Sequence, residues 1–371
     1  MSVRVLVVDD SAAFGRVMKQ ALESIPGVEV VSVCRSGAVA LDRLRSEHPD
    51  LVTLDVEMPE MSGLEVLQAM RADSPKLAVI MVSGATDRAR ELTLRALELG
   101  ALEFLPKPQG PESLESLRER LTPLLAAVAH RKEVTEILHG IPAKPEPPLP
   151  AWFVPPDAQT APVPQPPAGP PPVSHSRVRK SKPAMVLIGV STGGPEALGR
   201  LIPKLPDSLR VPVLIVQHMP PLFTQTLAQK LDSCSQIRVK EAADGEVASR
   251  GYAYIAPGGK HLKVRAGLHG EIVLRTTSDP PENNCRPAVD VLFRSAAAAF
   301  PGLSVAVILT GMGRDGTQGL RELRGAGVVA IAQDEASCTV FGMPKEAIHA
   351  GLVDIVSPLG SIASEIVRAV A

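Results

Sequence analysis

Val186-Leu-Ile-Gly-Val-Ser-Thr-Gly-Gly-Pro195 decides how the second half of this chain folds. Apolar residues run into a Gly-x-Ser-x-Gly-Gly turn, and Glu196–Leu205 then carries a helical pattern. An apolar run bounded by glycine suits a strand buried on both faces of a parallel sheet. Gly189, Gly193 and Gly194 allow a sharp turn and close approach of a substrate. Pro195 fits the first helical turn, where a missing N–H costs little. The turn holds Ser191 at a strand end beside a helix N-terminus, where N–H groups can stabilise an oxyanion. Two readings stay open on this stretch alone: a nucleophile, or a phosphate-binding or merely structural glycine turn.

The residues that follow add two partners. Val211–Val216 reads as a second apolar strand and ends at Gln217-His218, so His218 sits at a strand end like Ser191. A neutral imidazole there can take the serine proton. None of His48, His130, His139, His175, His261, His269 and His349 has a comparable setting. Ser304–Leu309 reads as a buried strand leading into Thr310-Gly-Met-Gly-Arg-Asp-Gly, which presents Asp315. Asp315 either orients the imidazole, as the acid of a triad does, or caps a helix. Tyr252–Ala256, Lys260–Val264 and Glu271–Arg275 alternate and are separated by glycine turns, which predicts antiparallel hairpin strands attached to the main sheet. The order serine, histidine, aspartate differs from that of α/β-hydrolases, so another doubly wound fold is expected.

The first half alternates strands and amphipathic helices: Arg4–Val8, Val28–Val33, Leu51–Leu54, Leu77–Val82 and Glu103–Leu105 are the strands. This predicts a doubly wound parallel sheet, with ligands at the carboxyl ends of its strands. Asp9, Asp10 and Asp55 converge on that edge, and like charges so close call for a cation; an all-oxygen set favours Mg²⁺. Ser83 and Lys107 end neighbouring strands and can hold phosphoryl oxygens.

The fold class is therefore α/β: two doubly wound parallel-sheet domains, residues 1–130 and 184–371, joined by a Pro-rich linker over 131–183. From Gly140 the apolar periodicity stops and about a third of the residues are proline. This predicts a semi-rigid, largely extended spacer. Trp152-Phe153 within it either packs back on a domain or is a docking motif. The 371 residues hold 39 Lys and Arg against 40 Asp and Glu, so no global basic field attracts nucleic acid. No apolar run reaches about 18 residues, and the N-terminus lacks a signal-peptide cleavage pattern. The chain is expected in the cytoplasm, with its four cysteines reduced and no structural zinc.

Residues 1–130 resemble a two-component response-regulator receiver domain, on Val-Val-Asp-Asp-Ser, Leu-Asp-Val-Glu-Met-Pro-Glu-Met-Ser-Gly, Val-Ser-Gly and Leu-Pro-Lys-Pro. The resemblance implies that Asp55 accepts a phosphoryl group from a histidine kinase. It implies that Asp10, Asp55 and the Glu57 carbonyl ligate Mg²⁺, with Asp9 assisting through water. Ser83 takes the place of the switch hydroxyl, Phe104 that of the switch aromatic, and Lys107 contacts the phosphoryl group.

Residues 184–371 resemble the CheB family of chemotaxis response-regulator protein-glutamate methylesterases. The motifs are Gly-Val-Ser-Thr-Gly-Gly-Pro, Gln-His-Met-Pro, Ala-Pro-Gly-Gly-Lys-His, Arg-Pro-Ala-Val-Asp-Val-Leu-Phe, Leu-Thr-Gly-Met-Gly-Arg-Asp-Gly and Gln-Asp-Glu-Ala-Ser-Cys-Thr-Val-Phe-Gly-Met-Pro. By that resemblance Ser191, His218 and Asp315 are the triad, and the Thr192 and Met312 N–H groups are oxyanion-hole candidates. The substrate is a glutamate γ-methyl ester on a methyl-accepting chemoreceptor, with deamidation of receptor glutamines as a second activity. The esterase chemistry needs no cofactor, and a monomer without membrane insertion is expected. Ala288 departs from the family's serine, and the linker is longer than its common form. A phosphorylation-dependent adaptor is the competing reading, motivated by that linker and opposed by the intact triad. A DNA-binding output domain is disfavoured, since no helix-turn-helix pattern occurs.

Overall fold

The computed structural model describes residues 2–74, 77–84, 86–107, 114–140 and 182–371. In the first half these form β1 (Val3–Val8), α1 (Ala12–Glu23), β2 (Val28–Cys34), α2 (Gly37–Glu47), β3 (Leu51–Asp55), α3 (Gly63–Asp73), β4 (Ala78–Ser83), α4 (Asp87–Glu98), β5 (Glu103–Pro106) and α5 (Leu114–Gly140). The strands form a five-stranded parallel sheet in the order β2-β1-β3-β4-β5. Helix starts follow from capping residues. Ser11 accepts the Phe14 N–H, and Ser62 and Glu65 make a reciprocal capping box. These caps turn the chain from β1 into α1 just past Asp9 and Asp10, and into α3 a few residues beyond Asp55. The acids are thereby left on the carboxyl edge.

The second half contains β6 (Met185–Val190), α6 (Gly194–Leu201), β7 (Val213–Gln217), α7 (Phe223–Cys234), β8 (Arg238–Glu241), β9 (Tyr252–Ile255), β10 (His261–Ala266) and β11 (Ile272–Thr277). It continues with α8 (Val289–Ala299), β12 (Ser304–Ile308), α9 (Thr317–Gly325), β13 (Val329–Gln333), α10 (Met343–His349), β14 (Ile355–Ser357) and α11 (Leu359–Val370). Its seven-stranded parallel sheet has the order β14-β13-β12-β6-β7-β9-β8. Strands β6, β7 and β12 are buried throughout, which is why they read as continuous apolar runs. The chain leaves β6 toward β7 on one side and later returns to pair β12 on the other. That switch point is where an open α/β sheet makes its crevice.

One expectation is corrected. Tyr252–Ile255 is a parallel strand of the main sheet, between β7 and β8, rather than part of an antiparallel hairpin. Its Ala253, Tyr254 and Ile255 are all buried, as a sheet covered on both faces requires. Among the described strands, β10 and β11 are the antiparallel pair; they form a separate two-stranded sheet packed on α8, with Val247 making an isolated antiparallel bridge to Val273 of β11. The short strands β8 and β14 were not foreseen; they lie at the two sheet edges. Helix α5 runs to Gly140, into the stretch expected to be linker, while Trp152 and Phe153 lie outside the described residues.

The two halves meet. Phe104 of β5 packs against Phe223 of α7 with ring centroids 4.5 Å apart and the rings tilted by 31°. Helix α4 packs on α6 and α7, Lys230 pairs with Glu98, and Met312 and Val340 join the apolar cluster that includes Leu121 and Leu125 of α5.

Candidate active site and receiver acidic cluster

Three strand ends bring Ser191, His218 and Asp315 together. The Ser191 Oγ lies 3.1 Å from His218 Nδ1, and His218 Nε2 lies 2.7 Å from Asp315 Oδ2. With Nε2–H donating to the carboxylate, Nδ1 is the acceptor facing the serine hydroxyl. The turn after β6 needs glycine: Gly193 has φ 77°, and a Cβ there would lie 2.4 Å from Thr339 Oγ1. Gly311 is needed as well, since a Cβ would lie 2.8 Å from the Ser191 Cβ. The Gln217 amide donates to the carbonyls of Ser191 (3.0 Å) and His218 (3.2 Å), tying two strand ends together.

Asp315 is buried and strongly solvated by the protein. Its Oδ2 accepts from Val289 N at 2.6 Å, and its Oδ1 from Asp290 N at 3.0 Å, Gly316 N at 3.0 Å and Asn283 Nδ2 at 2.9 Å. The carboxylate does not cap the helix that follows it, α9, whose N-cap is Gly316 without a side-chain cap; it caps α8 instead while facing the imidazole. Burial pushes the Asp315 carboxyl upward, but the hydrogen bond and charge of His218, with the α8 N–H groups, hold it below its ordinary value. Burial pushes His218 downward, and the hydrogen bonds and charges of Asp315 and Cys285 together outweigh that, raising it above the ordinary imidazole value. The missing hydroxyl at Ala288 leaves α8 without a side-chain cap of its own, a role that Asp315 fills.

Three contacts were not legible beforehand. Cys285 Sγ lies 3.5 Å from His218 Nδ1, in a loop whose spacing carried no metal or disulfide signal. The buried His261 uses both nitrogens to fasten that loop, with Nε2 on Pro280 O and Nδ1 accepting from Ala288 N. Thr192, beside the nucleophile, donates its Oγ1 to Glu103 Oε2 of the first half at 2.8 Å. Burial raises the Glu103 carboxyl; the Thr192 and Phe104 hydrogen bonds and the charge of His218 oppose that. Met312 sits in the Asp315 loop, against the first half.

The acidic cluster forms as expected. Ligand oxygens of Asp9, Asp10 and Asp55 lie within 4.8 Å of one another. Lys107 Nζ sits 2.6 Å from Asp55 Oδ2 and 3.0 Å from Asp9 Oδ2. Burial pushes Asp55 up to about 6, with Lys107 opposing and the charge of Asp9 adding to it. Asp9 is likewise raised by burial against Lys107. An all-oxygen cluster of partly buried acids with one fixed ammonium fits a hydrated divalent cation sharing its shell with a phosphoryl group. The Glu57 backbone follows directly, with its N–H on Asp55 Oδ1 and its carboxylate held by Thr86. Ser83 is fully buried and accepts from Thr93 Oγ1 at 2.7 Å.

Comparison with known proteins follows the same division. The family described as CheB methylesterase matches residues 186–366, and that described as response regulator receiver domain matches residues 5–119. A Desulfotalea psychrophila protein named protein-glutamate methylesterase/protein-glutamine glutaminase is 43% identical over 373 residues, covering 100% of this chain and 99% of the relative. A Bacillus subtilis protein of the same name is 41% identical over 376 residues, covering 99% and 98%. The crystal structure of the Thermotoga maritima CheB methylesterase catalytic domain is 44% identical, covering 51% of this chain and 99% of that one, with a TM-score of 0.49. Among the described residues, no helix is long and apolar enough to cross a membrane.

Proposed function

Because this chain belongs to the CheB methylesterase family, with a response-regulator receiver domain ahead of the catalytic half, we propose that it is a phosphorylation-activated protein-glutamate methylesterase. It hydrolyses glutamate γ-methyl esters on methyl-accepting chemoreceptors and deamidates receptor glutamines. The observation that carries this is the hydrogen-bonded chain from Ser191 through His218 to Asp315.

The chemistry follows from that chain. Ser191 Oγ attacks the ester carbonyl as His218 Nδ1 takes its proton, and Asp315 stabilises the imidazolium. The backbone N–H groups of Thr192 and Met312 serve the oxyanion. The imidazolium gives its proton to the departing methoxide, leaving methanol and an acyl-enzyme. Water, deprotonated by His218, then releases the glutamate carboxylate. With a glutamine side chain, ammonia leaves in place of methanol.

Residues 1–130 are the receiver, 131–183 the linker and 184–371 the catalytic domain. Asp55 accepts the phosphoryl group from a histidine kinase. Asp9, Asp10, Asp55 and the Glu57 carbonyl would hold Mg²⁺, which supplies positive charge to neutralise phosphoryl oxygens. Lys107 contacts those oxygens, and Ser83 and Phe104 are the switch residues. In the unphosphorylated chain the receiver covers the catalytic edge through Glu103 on Thr192 and Phe104 on Phe223. Phosphorylation adds oxygens for Lys107, already seated on Asp55, and draws Ser83 toward them, which weakens that seat. The enzyme works as a cytoplasmic monomer.

Methanol release from methylated receptor membranes tests this reading. Release is expected to need Ser191 and to rise with acetyl phosphate and Mg²⁺ only when Asp55 is present. Wild-type release by Ser191→Ala would overturn the triad, and stimulation of Asp55→Ala would overturn the phosphorylation site.

A further inference from the structure

Behind the triad acid stands a second buried carboxylate. Asp290, in the first turn of α8, is buried, and its Oδ1 accepts the Gly319 N–H at 2.7 Å. Its Oδ2 accepts from Asn283 Nδ2 at 2.9 Å, and the same nitrogen donates to Asp315 Oδ1 at 2.9 Å. An amide nitrogen carries two hydrogens, so each carboxylate takes one. Among the described residues, Asn283 and His218 are the side-chain N–H donors to Asp315 and its other N–H donors are backbone groups, while the neighbouring Asp290 carboxyl is raised by burial and by the charge of Asp315.

The loop is built to hold this amide in place. Asn283 and Asn284 have φ 53° and 59°, a left-handed conformation that asparagine tolerates better than most residues. Glu282 and Cys285 close the turn through paired backbone hydrogen bonds of 3.1 and 2.9 Å, and Glu282 is paired with Arg294 of α8. The loop is thus fastened to the helix whose N-terminus Asp315 caps.

We infer that Asn283 is a positioning residue for the esterase reaction, bridging Asp315 to Asp290 so that Asp315 stays ionised and aimed at His218. The inference rests on reading Ser191, His218 and Asp315 as the triad. Two carboxylates this close repel, and one remedy is a proton held between them. Such a proton would take up Asp315 Oδ1 and remove the charge that supports the imidazolium. The bridging amide supplies the alternative: a neutral donor to each acid, which favours both anions and opposes the rise that burial and the charge of Asp315 impose on Asp290. The charged and titratable groups facing this pair are His218 on Asp315 and Arg294 near Asp290, with Glu282 and Glu322 around Arg294. Cys285 and the receiver's Glu103 face His218.

The test uses the full-length chain with acetyl phosphate and Mg²⁺, assayed by methanol release from methylated receptor membranes. Asn283→Gly removes the amide while accepting the left-handed backbone. Its kcat is expected to fall about 10- to 100-fold with KM within about twofold, the signature of support lost in the transition state. Loss of the Asp315 charge also lowers the pKa of His218, so the acid limb of the pH profile moves to lower pH, by about half a unit or more. Adding Asp290→Asn to Asn283→Gly removes the rival charge, and kcat is expected to recover at least about threefold. An unchanged kcat, an unmoved acid limb, or no recovery in the double variant would each overturn the inference. Ser191→Ala is run beside these variants. Activity in Ser191→Ala would sink the triad reading itself, whereas an inactive Ser191→Ala beside a wild-type-like Asn283→Gly would sink only the role of Asn283.

Discussion

Asp55 of the first sheet and Asp315 of the second are both buried acids at the carboxyl end of a parallel strand or in the loop beyond it, yet they are treated in opposite ways. Asp55 lies beside two other acids and meets one ammonium, Lys107, which it shares with Asp9. Asp315 receives N–H groups from α8, from Gly316 and from Asn283 before it faces His218. Burial therefore raises the first carboxyl, while the second is held below its ordinary value. A cluster left short of positive charge responds to whatever supplies it, as a switch must. An acid whose donors are all built into the chain does not respond, as a preorganised catalytic group must not.

The largest effect is expected from making Asp315 carry the wrong group. Asp315→Asn keeps the size of the side chain but cannot accept at both oxygen positions, and it does not stabilise an imidazolium. About a 10⁴-fold loss in kcat is expected, by analogy with the same change in other serine triads. Receptor binding, measured by sedimentation with membranes, should be unchanged. A loss below about tenfold would mean that Asp315 serves mainly as the α8 cap.

The acidic cluster should make the stability of the fold respond to Mg²⁺, which the triad does not bind. Asp55 is raised from 3.8 to about 6 in the folded protein. A raised carboxyl contributes stability that is fully present below its unfolded value and is lost as pH rises through its folded value. The melting temperature without Mg²⁺ should therefore fall, from this group, between about pH 4 and 6. Mg²⁺ should offset that loss above about pH 6 by binding the folded state alone. Asp55→Ala should flatten both the pH and the Mg²⁺ dependence of the melting curve. If Mg²⁺ raises the melting temperature of Asp55→Ala as much as that of wild type, the ion is held elsewhere.

What was legible beforehand divides along the same line. Strand-end residues announce themselves because a buried parallel strand is an apolar run and the next polar residue marks its end. Asp9, Asp55, Ser191 and His218 were found that way, as were both sheets. Short edge strands carry no such run: Arg238–Glu241 alternates like a loop, and β9 was too short to distinguish parallel from antiparallel pairing. Asn283, Cys285 and Glu103 reach the site from loops and from the other domain. Their roles depend on contacts 32, 67 and 89 residues apart in sequence, which no local pattern encodes.

The smallest effect, and the sharpest on the contact between the two sheets, concerns Glu103. Its carboxylate reaches Thr192, next to Ser191, and burial raises its pKa. A group raised in the closed arrangement favours that arrangement when protonated, so closure should loosen as pH rises through its titration. Two substitutions then separate hydrogen bond from charge. Glu103→Gln keeps a hydrogen-bonding partner for Thr192 and removes the buried charge, so basal methanol release without phosphodonor should fall or stay level. Glu103→Ala removes the hydrogen bond to a charged acceptor, and basal release should rise about two- to fivefold, a modest change because desolvation offsets most of such a bond. Acetyl phosphate should stimulate Glu103→Ala correspondingly less, since part of the seat is already lost. If both substitutions shift basal release in the same direction, the Glu103 contact does not tune the cover, and the Phe104–Phe223 contact carries the closure instead.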